Sequence, residues 1–146
     1  MDHSFKISRF LLNSITSYFN CFDHEQGGAL LLSNNKIVRF IPLKNLSKSY
    51  SSFQFSFDEL NEKINKDDEY NGIGIIHSHA LSENLTSLDR PSKEDILFYK
   101  AFIMSNPGFD SFIFPIVIQK ELNQALVKWY NLLDDQVVEV KLKVTD

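Results

Sequence analysis

The apolar run Ile73-Gly74-Ile75-Ile76 is closed by His77-Ser78-His79, and this junction constrains the chain more than any other feature. Read as a strand over residues 71–79, it sends side chains at i and i+2 out of the same face of a sheet. Two imidazoles then point into one volume, as two ligands of a single metal ion must. Imidazole nitrogen is a favoured zinc donor, and a catalytic zinc takes three protein ligands and a water. The pair also fits two solvated histidines at a strand end, so a third ligand and a base decide between the readings.

A chain of 146 residues with 43% apolar residues and thirteen Phe suits one domain with a sizeable core and argues against disorder. The formal charge is 15 − 19 = −4, without a basic run, which argues against nucleic-acid binding. Cys21 stands alone and cannot form an internal disulfide, which fits a reducing compartment. Flanked by Phe19 and Phe22, it reads as packing rather than as a nucleophile. No signal pattern follows Asp2 and His3, and no apolar run approaches the roughly 18 residues of a membrane span. The expectation is a soluble, cytoplasmic protein without membrane partners.

Phe5, Ile7, Phe10, Leu11, Leu12, Ile15, Tyr18 and Phe19 form a near-helical stripe over residues 4–20. The turn residues Asp23 to Gly28 precede an apolar strand, Ala29 to Leu32. Asn34-Asn35 then predicts a hairpin into Ile37 to Ile41, because Asn tolerates positive φ. Residues 44–52 read as a loop. Ser56-Phe57-Asp58-Glu59 reads as a capping box opening a helix to about Lys66. After the histidine strand, residues 80–90 are polar and irregular. Pro91-Ser92-Lys93-Glu94-Asp95 opens another capped helix, through Phe102 or Ile103, stopped by Asn106-Pro107-Gly108. Three strand-like runs follow: Phe112 to Gln119, Gln124 to Leu132 and Gln136 to Val144. The Phe-rich segments at 98–102 and 109–114, with Trp129 and Tyr130, read as core rather than interface. The whole reads as one α+β domain over residues 1–146.

Asp95 is the natural third ligand, on the first turn of the helix beyond the histidine strand. It is equally a helix-capping acid, since Ser-x-x-Asp suits a helix N-terminus and its dipole. The two roles need not exclude each other: Ser92 can start the helix and project its hydroxyl toward whatever Asp95 binds. For the base, Glu25 is the candidate carboxylate, standing before Gly27-Gly28, where glycines permit a tight turn or close backbone approach. Glu25 as a solvated loop residue remains open, and His24 reads as a surface histidine.

Taken in order, Glu25-x-x-Gly28 before an apolar strand, His77-Ser78-His79, and Ser92-x-x-Asp95 after a proline resemble the JAMM motif. It belongs to the JAB/MPN-domain zinc metallopeptidases, which include deubiquitinases and their bacterial and archaeal relatives. Ile41-Pro42-Leu43 to Asn45 also resembles the family's middle segment. The short chain is similar to the family's prokaryotic single-domain branch. It departs from the pattern in having Ala80 where the family has proline, and twelve residues, Ala80 to Pro91, before the serine instead of about seven. Ser87 stands at the family's spacing, but Arg90 three residues later is no zinc ligand, so Ser92 and Asp95 match better. The longer loop borders the expected active site, where substrate contacts concentrate.

The resemblance implies an α+β fold, a central mixed β-sheet flanked by helices in the cytidine-deaminase-like JAB/MPN arrangement. It implies one zinc ion held by His77, His79 and Asp95 with water as fourth ligand. Glu25 would be the general base on that water, and Ser92 the hydrogen-bond donor to the oxyanion. Strand alternation turns Ser78 to the opposite face, for packing or hydrogen bonding. The implied reaction is hydrolysis of the peptide or isopeptide bond after the C-terminus of ubiquitin or a ubiquitin-like protein, free or in conjugates. The 80–90 loop would form one wall of the groove, and a conjugation pathway, antiviral defence included, is the implied setting. Two alternatives stay open: a non-catalytic MPN-type interaction module, and a peptidase acting on cell-wall peptides or other small amides.

Overall fold

A computed structural model of the protein describes residues 5–20, 26–47, 53–79, 90–121 and 124–146, with backbone alone at 119–121 and 124. Cys21, His24, Glu25, residues 48–52 and the loop from Ala80 to Asp89, Ser87 included, lie outside the described residues. None of the described helices is long and apolar enough to cross a membrane.

The N-terminal stripe divides into two elements, strand β1 (Phe5–Ser8) and helix α1 (Arg9–Phe19). Phe5 and Ile7 are both buried. On a helix, residues two apart lie about 200° apart and could not face the core together; on a strand they do. Burying each contributes about 1.5–3 kcal/mol, enough to override the helical spacing of the neighbours. Ser8 ends the strand and caps the helix, its Oγ accepting from Leu11 N at 3.1 Å.

Strands β2 (Gly27–Ser33) and β3 (Lys36–Leu43) form the expected hairpin, with Asn34 and Asn35 at φ 50° and 65°. Helix α2 (Phe57–Lys63) is shorter than expected and only half of the predicted capping box forms. Ser56 Oγ accepts from Glu59 N at 3.2 Å. The Glu59 carboxylate instead accepts from Lys44 N at 3.0 Å and pairs with Lys63. The chain turns at Asn65–Asp68, where Asp68 pairs with Arg39 of β3 and also accepts from Asn65 N at 2.8 Å.

Strand β4 (Gly72–His79) and helix α3 (Lys93–Ser105) follow. The run from Phe112 breaks into β5 (Ser111–Ile113) and β6 (Ile116–Glu121) at Phe114-Pro115, since proline has no N–H for a ladder. Both pieces pair in parallel with β4, β5 beside its start and β6 beside its histidine end. Strands β7 (Gln124–Leu133) and β8 (Gln136–Val140) form a second hairpin, with Asp134 and Asp135 at positive φ. The last expected run splits at Lys141, its end becoming β9 (Leu142–Thr145).

The strands form one mixed sheet in the order β8-β7-β6-β4-β2-β3-β1-β9, with β5 also on β4. Its two outermost strands, β8 and β9, are separated by one residue of chain, so the sheet must curl until its edges approach. Alternation divides the core between the faces. Leu30, Leu32 and Ile76 pack with Ile15 and Phe19 of α1. Ala29, Leu31, Ile73 and Ile75 pack with Leu60 of α2 and Tyr99 and Phe102 of α3. This α+β arrangement determines where the site lies, because odd-numbered residues of β4 face α3.

Candidate metal centre

His77 and His79 continue the parity of Ile73 and Ile75, so they emerge on the face that α3 covers. The last turn of β4 has strands on both sides. Gly27 of β2 pairs with His77, and Ile116 to Ile118 of β6 pair with His77 to His79. Gly27 and Gly28 serve close packing: a Cβ at Gly27 would lie 2.6 Å from Ile76 O, and one at Gly28 2.3 Å from Ile41 O. The close-approach expectation for these glycines holds.

Ser78 has the opposite parity and turns toward the α1 face. Its Oγ accepts from Gln26 N at 2.9 Å, and its own N donates to Gln26 O at 2.8 Å. Two hydrogen bonds between one residue pair thereby fasten the entrance of β2 to the histidine end of β4. The sequence pointed to a hydrogen-bonding role for Ser78 but not to its partner.

Asp95 arrives from α3. Ser92 and Asp95 form a reciprocal capping box: Asp95 N donates to Ser92 Oγ at 3.0 Å, and Ser92 N donates to Asp95 Oδ2 at 2.8 Å. The carboxylate so held faces both imidazoles. His77 Nε2 lies 3.4 Å from Asp95 Oδ1, His79 Nε2 lies 3.3 Å from Asp95 Oδ2, and the two Nε2 atoms are 3.2 Å apart. The side chains grade outward from 5% exposed at His77 through 12% at His79 to 21% at Asp95. Burial pushes the Asp95 carboxyl up, but hydrogen bonds from His77 and His79, the His77 charge and Ser92 N–H outweigh it and hold it well below the usual carboxylate range.

The distances test whether a metal fits. Around a tetrahedral zinc with bonds near 2.0–2.1 Å, neighbouring ligand atoms stand about 3.3–3.4 Å apart. The Nε2–Nε2 separation of 3.2 Å falls within 0.2 Å of that edge, and each imidazole meets one oxygen of the Asp95 carboxylate at 3.3–3.4 Å. Two imidazole nitrogens turned toward each other also suit a shared cation better than a shared proton. His77, His79 and Asp95 are thus a group able to hold a divalent metal.

The fold recurs in known structures. A JAB1/MPN domain protein of Archaeoglobus fulgidus is 23% identical, with TM-score 0.58 over 97% of this chain and 98% of that one. The fold is that of the JAB1/MPN domain proteins. The JAMM structure described as a metalloprotease-like zinc site in the proteasome and signalosome is 20% identical, with TM-score 0.53 over 98% and 99% of the two chains. A solution structure of protein DSY2949 from Desulfitobacterium hafniense is 19% identical, with TM-score 0.62 over 97% and 93%. No protein-family model and no curated protein matches the chain.

Beside the metal-binding group lies a cavity of about 420 Å³. Phe53 and Phe55 of the segment leading into α2 and Phe57 at its start line it, together with Phe98 and Tyr99 of α3 and Ile75 of β4. The sequence reading passed over this segment. Its signal was there, Phe53 and Phe55 at period two before the Ser56 helix cap with Phe57 directly after it, the pattern of an extended stretch showing one apolar face.

Proposed function

We propose that the protein is a metal-dependent amide hydrolase that cleaves the peptide or isopeptide bond after the C-terminus of a ubiquitin-like protein. The observation that carries the reading is the convergence of His77, His79 and Asp95, which offer one ligand atom each within 4.8 Å of one another. A zinc ion held there supplies Lewis acidity, polarising a carbonyl and lowering the pKa of water toward about 7.

The chain's own residues do the rest. Both imidazoles sit on a strand paired on each side, and the Asp95 rotamer is fixed by Ser92 N–H, so the donors are ordered before a cation arrives. Ser92 Oγ accepts from Asp95 N, which leaves its O–H proton for the substrate carbonyl oxygen as negative charge develops there. Glu25 takes the proton of the attacking water and delivers it to the departing amine. The bond broken is the amide C–N, and the products are a carboxylate and an amine. An extended C-terminal tail suits a sheet-edge groove, where backbone hydrogen bonds give affinity.

The experiment combines metal analysis of the purified protein with cleavage of linear ubiquitin-like fusions. Stoichiometric zinc is expected, with cleavage lost on chelation and in Glu25→Ala. Metal-loaded protein that cleaves no fusion or conjugate refutes the substrate assignment, and protein that takes up no divalent metal refutes the mechanism.

A further inference from the structure

We infer that the cavity beside the His77–His79–Asp95 group is a specificity pocket for an aromatic side chain on the substrate residue flanking the cleaved amide. The inference deepens the hydrolase reading and rests on it.

The pocket is continuous with the metal-binding group, since His77, Ser92 and Asp95 all line it. At about 420 Å³ it lies within the range of about 300–1,000 Å³ typical of small-molecule sites. It is far too large for a packing defect in a close-packed interior. Its apolar lining is a connected set of rings. Phe53 stacks on Phe55 at 5.9 Å, Phe55 meets Phe57 at 4.9 Å, and Phe55 stands edge-on to Phe98 at 6.0 Å. These rings present both faces and edges, the arrangement that further aromatic rings prefer. Phe57 is 49% exposed, apolar surface that an entering ring would cover.

The charges narrow the choice. Glu94 lines the pocket with Asp95, and among its described lining residues there is no Lys or Arg. An acidic substrate side chain would meet like charge without a partner. A glycine would leave the rings uncovered. A lysine ammonium could reach the exposed Glu94, but its thin aliphatic stem would cover less of the four phenyl rings than an aromatic ring does.

Binding tests this without reference to turnover. The probes are the N-acetyl amides of Phe, Gly, Lys and Glu, titrated into zinc-loaded protein while the Ile75 methyl signal is followed by NMR. The Phe amide should bind about 10- to 100-fold more tightly than the Gly amide, from burial of one aromatic side chain. Phe55→Ala should weaken Phe binding about 3- to 10-fold and leave the Gly amide unchanged. Should Phe55→Ala lose its native methyl spectrum, the half-exposed Phe57→Ala carries the same expectation. Equal affinity for Phe and Gly, or Lys binding as tightly as Phe, overturns the pocket. Phe-selective binding in protein that cleaves nothing upholds the pocket and refutes the hydrolase reading. Cleavage of fusions without Phe-selective binding upholds the hydrolase and refutes the pocket.

Discussion

Ser92 is asked to do two things, and one pair of substitutions separates them. Its Oγ caps α3 by accepting from Asp95 N at 3.0 Å, and its O–H is the proposed oxyanion donor. Ser92→Ala removes both, while Ser92→Gly removes the hydroxyl but leaves a backbone that caps tolerably. Loss of a serine cap to alanine costs about 1 kcal/mol, and to glycine only a few tenths. For a chain of 146 residues, an unfolding entropy of about 2.1 cal/mol/K per residue makes 1 kcal/mol worth about 3 °C in Tm. Ser92→Ala should therefore melt about 3 °C lower and Ser92→Gly about 1 °C lower. The lost donor should reduce kcat about 10²- to 10³-fold in both. The Ser92 N to Asp95 Oδ2 bond is donated by the backbone N–H and survives both changes, so zinc content should be the same as in wild type. Thermal melts, metal analysis and fusion cleavage at matched zinc content supply the readouts. A Ser92→Gly protein with full metal and wild-type kcat refutes the donor role and leaves Ser92 as a cap.

Asp95 is held below its ordinary carboxylate range in the folded chain, so it binds fewer protons folded than unfolded through the acid region. Its stabilisation of the metal-free protein is present above the unfolded carboxylate pKa of about 3.9 and is lost as pH falls below it. Asp95→Asn should flatten that part of the acid unfolding curve and abolish stoichiometric metal binding; an unchanged acid limb counts against the pairing. Ser78→Ala leaves Gln26 N without its 2.9 Å acceptor, a loss of about 1–3 kcal/mol, read in thermal melts together with faster hydrogen exchange at the Gln26 amide. Tyr99 is buried with no hydrogen-bond partner for its hydroxyl among the described residues, and burial, then the Asp95 charge, push that hydroxyl up and keep it neutral. Tyr99→Phe should therefore be neutral or stabilise by up to about 1 kcal/mol; a clear drop in Tm would mean that the hydroxyl has a partner.

The parts of the fold legible in the sequence were those where local chemistry and tertiary pairing agree. Asn34-Asn35 specified a hairpin because few other residues accept φ near 50–65°. Ser92 and Asp95 specified a helix start, and the cap formed as written. The errors lay where tertiary pairing outweighs the local pattern. Phe5 and Ile7 belong to a helical stripe by spacing, yet β3 and β9 offer them a parallel ladder on each side. The run 136–144 looked continuous, but its halves pair with strands at opposite ends of the sheet. Glu59 had the spacing of a reciprocal cap, yet the amide of Lys44 and the ammonium of Lys63 compete for its carboxylate. The three residues His77, His79 and Asp95 were each legible as donors, but nothing local says that β4 and α3 meet. The Phe53–Phe57 lining needed the fold as well.

The reading of Asp95 as a helix cap and its reading as a metal ligand reinforce each other. A free aspartate must give up rotamer freedom to bind a cation, a cost that falls on the binding free energy. Here the N-terminus of α3 has already fixed the carboxylate, because Ser92 N–H accounts for one lone pair of Oδ2. The helix dipole favours the charged form that a metal requires. The remaining lone pairs face two imidazoles whose Nε2 atoms are held 3.2 Å apart by a strand that cannot shift register without turning Ile73 and Ile75 out of the core. Capping chemistry and core packing therefore set the donor geometry independently of any ion. It follows that Asp95→Glu, which keeps the charge but moves it one methylene away from the cap, should weaken zinc binding at least about tenfold. Loss of an orienting partner at a metal site costs that much. Competition against a chromogenic chelator gives the affinity, and an Asp95→Glu protein that holds zinc as tightly as wild type would show that the cap contributes nothing to the site.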